Sequence, residues 1–102
     1  MGFIQIIEYQ TSRIEEVEAL GKEFREQSAK LTGVAKPLRG TVTADQDRPG
    51  FFLSLVEFES AEAAMEASGR PETQAFFGRL SELMDGPPKF YNLAVVDTWE
   101  MG

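Results

Sequence analysis

The chain has no cysteine. Disulfides, thiolate nucleophiles and cysteine-ligated metals are therefore excluded. Histidine is also absent, so no imidazole can act as general base, zinc ligand or axial haem ligand. Any catalysis must draw on carboxylates, Lys, Arg, Tyr, Ser, Thr, side-chain amides or the single Trp, or on the reactivity of the substrate itself. Positive charge is scarce: 10 basic residues stand against 17 acidic ones, for a formal net charge of −7. Phosphate backbones and anionic membrane surfaces want clustered Lys and Arg, so neither nucleic acid nor a membrane is expected as a partner. No apolar run approaches the ~18–20 residues of a membrane span. The N-terminus lacks the basic flank of a secretory signal. A cytoplasmic location is the default expectation, with no metal and no cofactor.

What is present is a core. The hydrophobic fraction is 42% and includes eight Phe in 102 residues, enough for a single domain spanning 1–102. Phe3 to Gln10 (FIQIIEYQ) is rich in β-branched and aromatic residues and reads as a strand. Ser12, with Glu15 three residues on, reads as a capping box opening a helix. Its stripe is Ile14, Val17, Leu20, Phe24 and Leu31, with Gly33 as the stop. Lys36 to Ala44 reads as a weaker strand, and Pro37 confines it to a strand start or a sheet edge. Asp45 to Gly50 (DQDRPG) begins like a calcium loop. However, Pro49 and Val56 stand where ligands are needed, so it reads as a hairpin turn.

Phe51 to Phe58 (FFLSLVEF) is the strongest strand. Ser60 is an N-cap for a short helix ending at Gly69, and Pro71 suits the first position of the next helical segment. Phe76, Phe77, Leu80, Leu83 and Met84 form its stripe, and Asp85-Gly86-Pro87-Pro88 ends it. Lys89 to Trp99 reads as the last strand. The order is β-α-β-β-α-β, an α+β ferredoxin-like pattern with a four-stranded antiparallel sheet.

The strands are apolar on both alternating sets. Phe3, Ile7 and Tyr9 point one way in the first strand, and Ile4 and Ile6 the other. Two helices cover only one face of a four-stranded sheet, so the second face needs a cover of its own. A symmetric homodimer is the commonest way to supply one.

Several polar residues interrupt this pattern. Gln5 and Ser54 lie within apolar faces, where each must find a partner or line a cavity. Tyr91 and Asn92 offer a phenol and an amide that could orient a phenolic or carbonyl substrate, or they are a packed Tyr and a satisfied Asn. Lys36 and Arg39 are cations that could meet an anionic or enolate-like ligand, or simply charge an edge strand. Glu8, Glu57 and Asp97 could include an acid/base pair or serve as rim charges. Trp99 suits an interface.

The element order, the doubly apolar sheet and one local stretch carry a resemblance. That stretch runs from Gly69-Arg70-Pro71-Glu72 to Gly86-Pro87-Pro88-Lys89. The chain resembles the dimeric α+β barrel proteins, and within them the antibiotic biosynthesis monooxygenase family. It is most similar to the cofactor-independent members that oxidise aromatic polyketide phenols to quinones. The resemblance implies a dimeric barrel with a pocket in each subunit between sheet and helices. It also implies oxygen chemistry without flavin, haem or metal, the deprotonated substrate acting as its own reductant.

The functional residues of that group are an Asn on the third strand, a Trp four residues on and a Tyr six further. These positions fall at Ser54, Phe58 and Ala64. Ser54 keeps one hydrogen-bonding group, Phe58 keeps an aromatic wall, and Ala64 keeps nothing of the phenol. The resemblance places Phe52, Ser54, Val56 and Phe58 toward the helices, with Met65, Phe76 and Phe77 as pocket walls. It places Phe51, Leu53, Leu55 and Glu57 toward the partner sheet. A monooxygenase-like protein binding a small aromatic or polyketide-like molecule is the first expectation. A non-catalytic binding or accessory protein is the alternative, and a cyclase or isomerase using Arg39 or a carboxylate is a further one.

Overall fold

The computed structural model describes residues 2–102. Its elements are β1 (Phe3–Gln10), α1 (Ile14–Ala29), β2 (Arg39–Ala44), β3 (Phe51–Phe58), α2 (Ala61–Gly69), α3 (Pro71–Ser81) and β4 (Lys89–Ala94). The four strands form one antiparallel sheet in the order β2-β3-β1-β4. β1 pairs with β3 from Phe3 opposite Phe58 to Gln10 opposite Phe51. The strands richest in β-branched and aromatic residues thus take the centre, and the weaker ones take the edges. The expected ferredoxin-like architecture is present, with the second helical segment divided into α2 and α3.

The three helices cover one face. Ile7 and Tyr9 from β1 pack with Val17 and Leu20 of α1 and Leu80 of α3, and Phe52, Phe76 and Phe77 close around them. Each fully buried aliphatic side chain of this kind contributes roughly 1.5–3 kcal/mol. A second cluster joins Phe58 to Ala64 and Ala67 of α2. Ala64 has no exposed surface, because α2 lies against the sheet at that point.

Several boundaries differ from those read in the sequence, each for a local reason. Ser12 does not cap α1. The N-cap position is Arg13, without a side-chain bond, and Thr11 does the local work instead. Its hydroxyl accepts from the Arg13 amide (2.9 Å) and donates to the Leu83 carbonyl (2.6 Å), tying the end of β1 to the end of α3. Thr11 is 3% exposed. α1 ends at Ala29, so Leu31 lies beyond it, while Gly33 sits at φ +70° in the connection that follows.

β2 starts at Arg39 rather than Lys36. β4 ends at Ala94, which leaves Trp99 outside the sheet and 74% exposed. The hairpin Asp45–Gly50 closes as a turn. Asp45 Oδ1 accepts from the Asp47 amide (2.9 Å), and Gly50 takes φ +88°, a region that favours glycine. The Ser60 cap matches its reading, with its hydroxyl accepting from the Ala63 amide at 3.1 Å. Pro71 opens α3 as expected.

Candidate functional site

A cavity of about 730 Å³ lies between the helix-facing side of the sheet and the helices. β1 supplies Gln5, Ile7 and Tyr9, and β3 supplies Ser54, Val56 and Phe58. These side chains share a face because residues two apart on a strand point the same way. α3 closes the space with Phe76, Phe77 and Leu80. Its aromatic wall is ordered by contacts among the rings. Phe24 stacks on Phe76 (centroids 4.3 Å apart), and Phe77 meets Phe90 of β4 edge-on at 6.1 Å.

Two polar pairs sit in this apolar setting. The Tyr9 hydroxyl and Ser54 Oγ are 3.3 Å apart, and either can donate. Burial pushes the Tyr9 phenol up from its ordinary value of 10.0; the Ser54 hydrogen bond acts in the opposite direction, and Glu18 adds to the rise. Tyr9 is therefore a neutral phenol at physiological pH, able to donate to an oxygen in the cavity. The second pair joins Gln5 to its cross-strand neighbour Asn92. Gln5 Nε2 donates to Asn92 Oδ1 at 3.2 Å and lies 3.5 Å from Ser68 Oγ of α2.

The residues singled out in the sequence divide between the two faces. Gln5, Ser54, Phe58, Phe76 and Phe77 all line the cavity, and Asn92 stands beside Gln5. Tyr91 does not join Asn92. Its position opposite Ile6 places it on the other face of the sheet, where its hydroxyl donates to Glu8 at 3.3 Å. The pairing of Tyr91 with Asn92 as one substrate-orienting unit is corrected by strand alternation.

Arg39 is also elsewhere. It stands opposite Glu57 on the outer face and binds that carboxylate at 2.6 Å, with 72% of its side chain exposed. The partnership holds the Glu57 carboxyl below its ordinary value. Met65 points to solvent, 73% exposed, and walls no cavity. Lys36 is spent on the Ala29 carbonyl. Glu8 lies near Arg48 and Tyr91 on the outer face, so it forms no acid/base pair in the cavity.

Three cavity residues were not recognised from the sequence. Tyr9 was read only as part of an apolar face, although a buried phenol needs a polar partner and Ser54 is one. Arg70 enters the sequence reading only within the stretch that carries the resemblance, and Thr73 does not enter it. Both line the cavity, with polar atoms that have no hydrogen-bond partner. Nothing in their spacing marks them.

Among the described residues, no group of three or more acidic side chains is placed to hold a metal ion. Among the same residues, no helix is long and apolar enough to cross a membrane.

No family model and no curated protein matches the sequence. Solved structures do match. SnoaB, a cofactor-independent oxygenase from Streptomyces nogalater, aligns over 95% of each chain with a TM-score of 0.76 at 13% identity. A conserved protein from Methanosarcina mazei Go1 aligns over 91% of each chain, with a TM-score of 0.74 at 17% identity. A structure described as an antibiotic biosynthesis monooxygenase covers 95% of this chain and 100% of its own, with a TM-score of 0.69 at 15% identity. At these identities the likeness speaks for the fold: the chain has the ferredoxin-like fold of the antibiotic biosynthesis monooxygenase structures.

Proposed function

We propose that the protein binds a small aromatic or polyketide-like molecule in the cavity between sheet and helices, as a monooxygenase-like protein that uses no cofactor. The observation that carries this reading is the cavity itself. Its walls include Phe58, Phe76 and Phe77, and its polar lining includes the Tyr9–Ser54 pair and Gln5, with charged residues such as Glu18, Lys22, Arg25 and Arg70 also on it. A mostly apolar space of several hundred Å³ with a few convergent polar atoms suits a ligand of that class.

In such a pose, aromatic rings pack on the Phe wall and a ligand oxygen accepts from Tyr9 or Ser54. An anthrone oxidised there would lose two hydrogens and gain one oxygen atom, the second oxygen atom of O2 leaving as water. The electrons come from the substrate carbanion. The chain's part is to stabilise negative charge on the ligand oxygen and to exclude water.

A second reading, a non-catalytic binding or accessory protein, is favoured by three positions. By the resemblance, Ser54, Phe58 and Ala64 fall where an amide, an indole and a phenol would be expected. Oxygen uptake with a panel of anthrones and hydroquinones separates the two readings, with binding of the same compounds measured in parallel. Binding with uptake supports the oxygenase, binding without uptake supports the accessory protein, and no binding overturns both.

The proposal includes a homodimer. Ile4 and Ile6 share the outer sheet face with Phe51, Leu53 and Leu55, and no helix of this chain covers it. Leu93 on the same face and Trp99 beyond β4 are exposed. A second copy laid on this face would bury them. Light scattering after size exclusion tests the point, and a monomer at micromolar concentration would overturn it.

A further inference from the structure

The lining of the cavity is not equally buried. Ile7, Tyr9 and Phe58 form a floor that solvent barely reaches. Among the described residues, the exposed part of the lining comes from α1 and from the 37–42 segment, which includes the start of β2. The cavity therefore opens to solvent between α1 and β2. Its outermost wall on the sheet side is Gly40 and Val42. Gly40 pairs with Val56 and Val42 with Ser54. Both thus stand on the helix-facing side of the sheet, away from the face that a second copy would cover.

Gly40 has no structural reason to be glycine. A glycine inside a strand costs stability, and it marks a bulge, a tight bend, a close approach of backbone or a close ligand. The β2–β3 register runs without a bulge from Arg39 opposite Glu57 to Ala44 opposite Phe52. The backbone at Gly40 lies outside the positive-φ region that Gly33 and Gly50 occupy. A Cβ added to Gly40 would meet nothing nearer than the Leu55 carbonyl oxygen, at an ordinary 3.8 Å. What the missing side chain leaves open is the cavity.

Val42, two residues along, is left 46% exposed at the same opening. Alone, an exposed valine would be ordinary. Beside Gly40 and next to Ser54 and Val56, it extends the apolar surface of the floor outward.

We propose that Gly40 and Val42 form an outer subsite of the cavity, a shelf that takes the end of a flat ligand too long for the buried floor, with Gly40 as the specificity-determining position. This rests on the cavity being a ligand site and deepens that reading by setting the ligand's length. A ring on the shelf touches the bare Gly40 backbone and covers Val42, and a side chain at position 40 would occupy its place.

The test compares 2-naphthoate with anthracene-2-carboxylate, which carries the same charge and one further fused ring, by calorimetric titration. The wild-type protein should prefer the longer probe by about fivefold, the return on burying part of one more ring. Gly40→Val should bring that preference to unity or below, with 2-naphthoate affinity changed by less than about twofold. It should also raise the thermal midpoint, since a β-branched residue replaces a strand glycine. Val42→Thr, which keeps the shape and adds a hydroxyl, should reduce the preference about twofold. Should Gly40→Val fail to fold, Val42→Thr carries the test.

Equal binding of the two probes by the wild-type protein would overturn the subsite and leave the cavity reading standing. So would an unchanged preference in both variants, or a Gly40→Val protein that loses both probes equally. Absence of binding by either probe to the wild-type protein would overturn both readings.

Discussion

The Tyr9 hydroxyl lies 3.3 Å from Ser54 Oγ, across the junction of the two central strands and inside an apolar cavity. The two residues are diagonal neighbours: Tyr9 stands opposite Phe52, and Ser54 opposite Ile7. A long aromatic side chain spans that diagonal. The pair places a neutral hydrogen-bonding group inside the cavity.

Titration of Tyr9 follows from this geometry. Burial raises its phenol above 10.0, and the Ser54 bond partly offsets the rise. Ser54→Ala should therefore move the Tyr9 midpoint higher still, as read by absorbance at the phenolate band in a Tyr91→Phe background. An unchanged or lowered midpoint would show that Ser54 does not hold the phenolate form.

The same shift has a consequence for stability. The unfolded chain releases the Tyr9 proton at a lower pH than the folded one, so the contribution is fully present below about 10 and is lost as pH rises toward the folded value. Denaturant unfolding between pH 8 and 11 should show a decline that Tyr9→Phe reduces. An identical decline in the variant would assign it to other groups.

Thr11 and Ser12 separate two accounts of how α1 begins. The structure gives Thr11 two hydrogen bonds in a buried position and gives Ser12 no cap. Thr11→Val should cost about 2 kcal/mol by urea unfolding, and Ser12→Ala less than about 0.5. The reverse order would restore the capping box that the sequence suggests.

Much of the fold was legible because period-two and helical apolar patterns are local. The element order along the chain, the break at Gly69 and the Ser60 cap follow from residues that are neighbours in the chain. The faces of β1 and β3 were legible for the same reason, and so were Gln5 and Ser54 as interruptions of an apolar face. What was not legible depends on where elements meet. Ser12 fits a capping box, but Thr11 can reach Leu83 only once α3 is in place. Arg39 looks like a free cation until β3 brings Glu57 opposite it. Arg70 and Thr73 line the cavity only because α3 is packed there, which no spacing encodes.

Ala64 limits how the site can be altered. It has no exposed surface and packs on Phe58 and Ala67. Ala64→Tyr, which would introduce the phenol that the resemblance implies at this position, should cost about 3 kcal/mol through overpacking. It should therefore not create oxygenase activity by itself. A variant of wild-type stability by urea unfolding would mean that the space beside α2 is larger than its packing indicates.

The most direct measurement of the central claim is methyl NMR of Ile, Leu and Val side chains during titration with 2-naphthoate. The account predicts shifts at Ile7, Val17 and Leu80, which line the cavity, with Ile4, Ile6 and Leu53 on the opposite face of the sheet unchanged. Shifts confined to Ile4, Ile6 and Leu53, or none at any of the six, would contradict it.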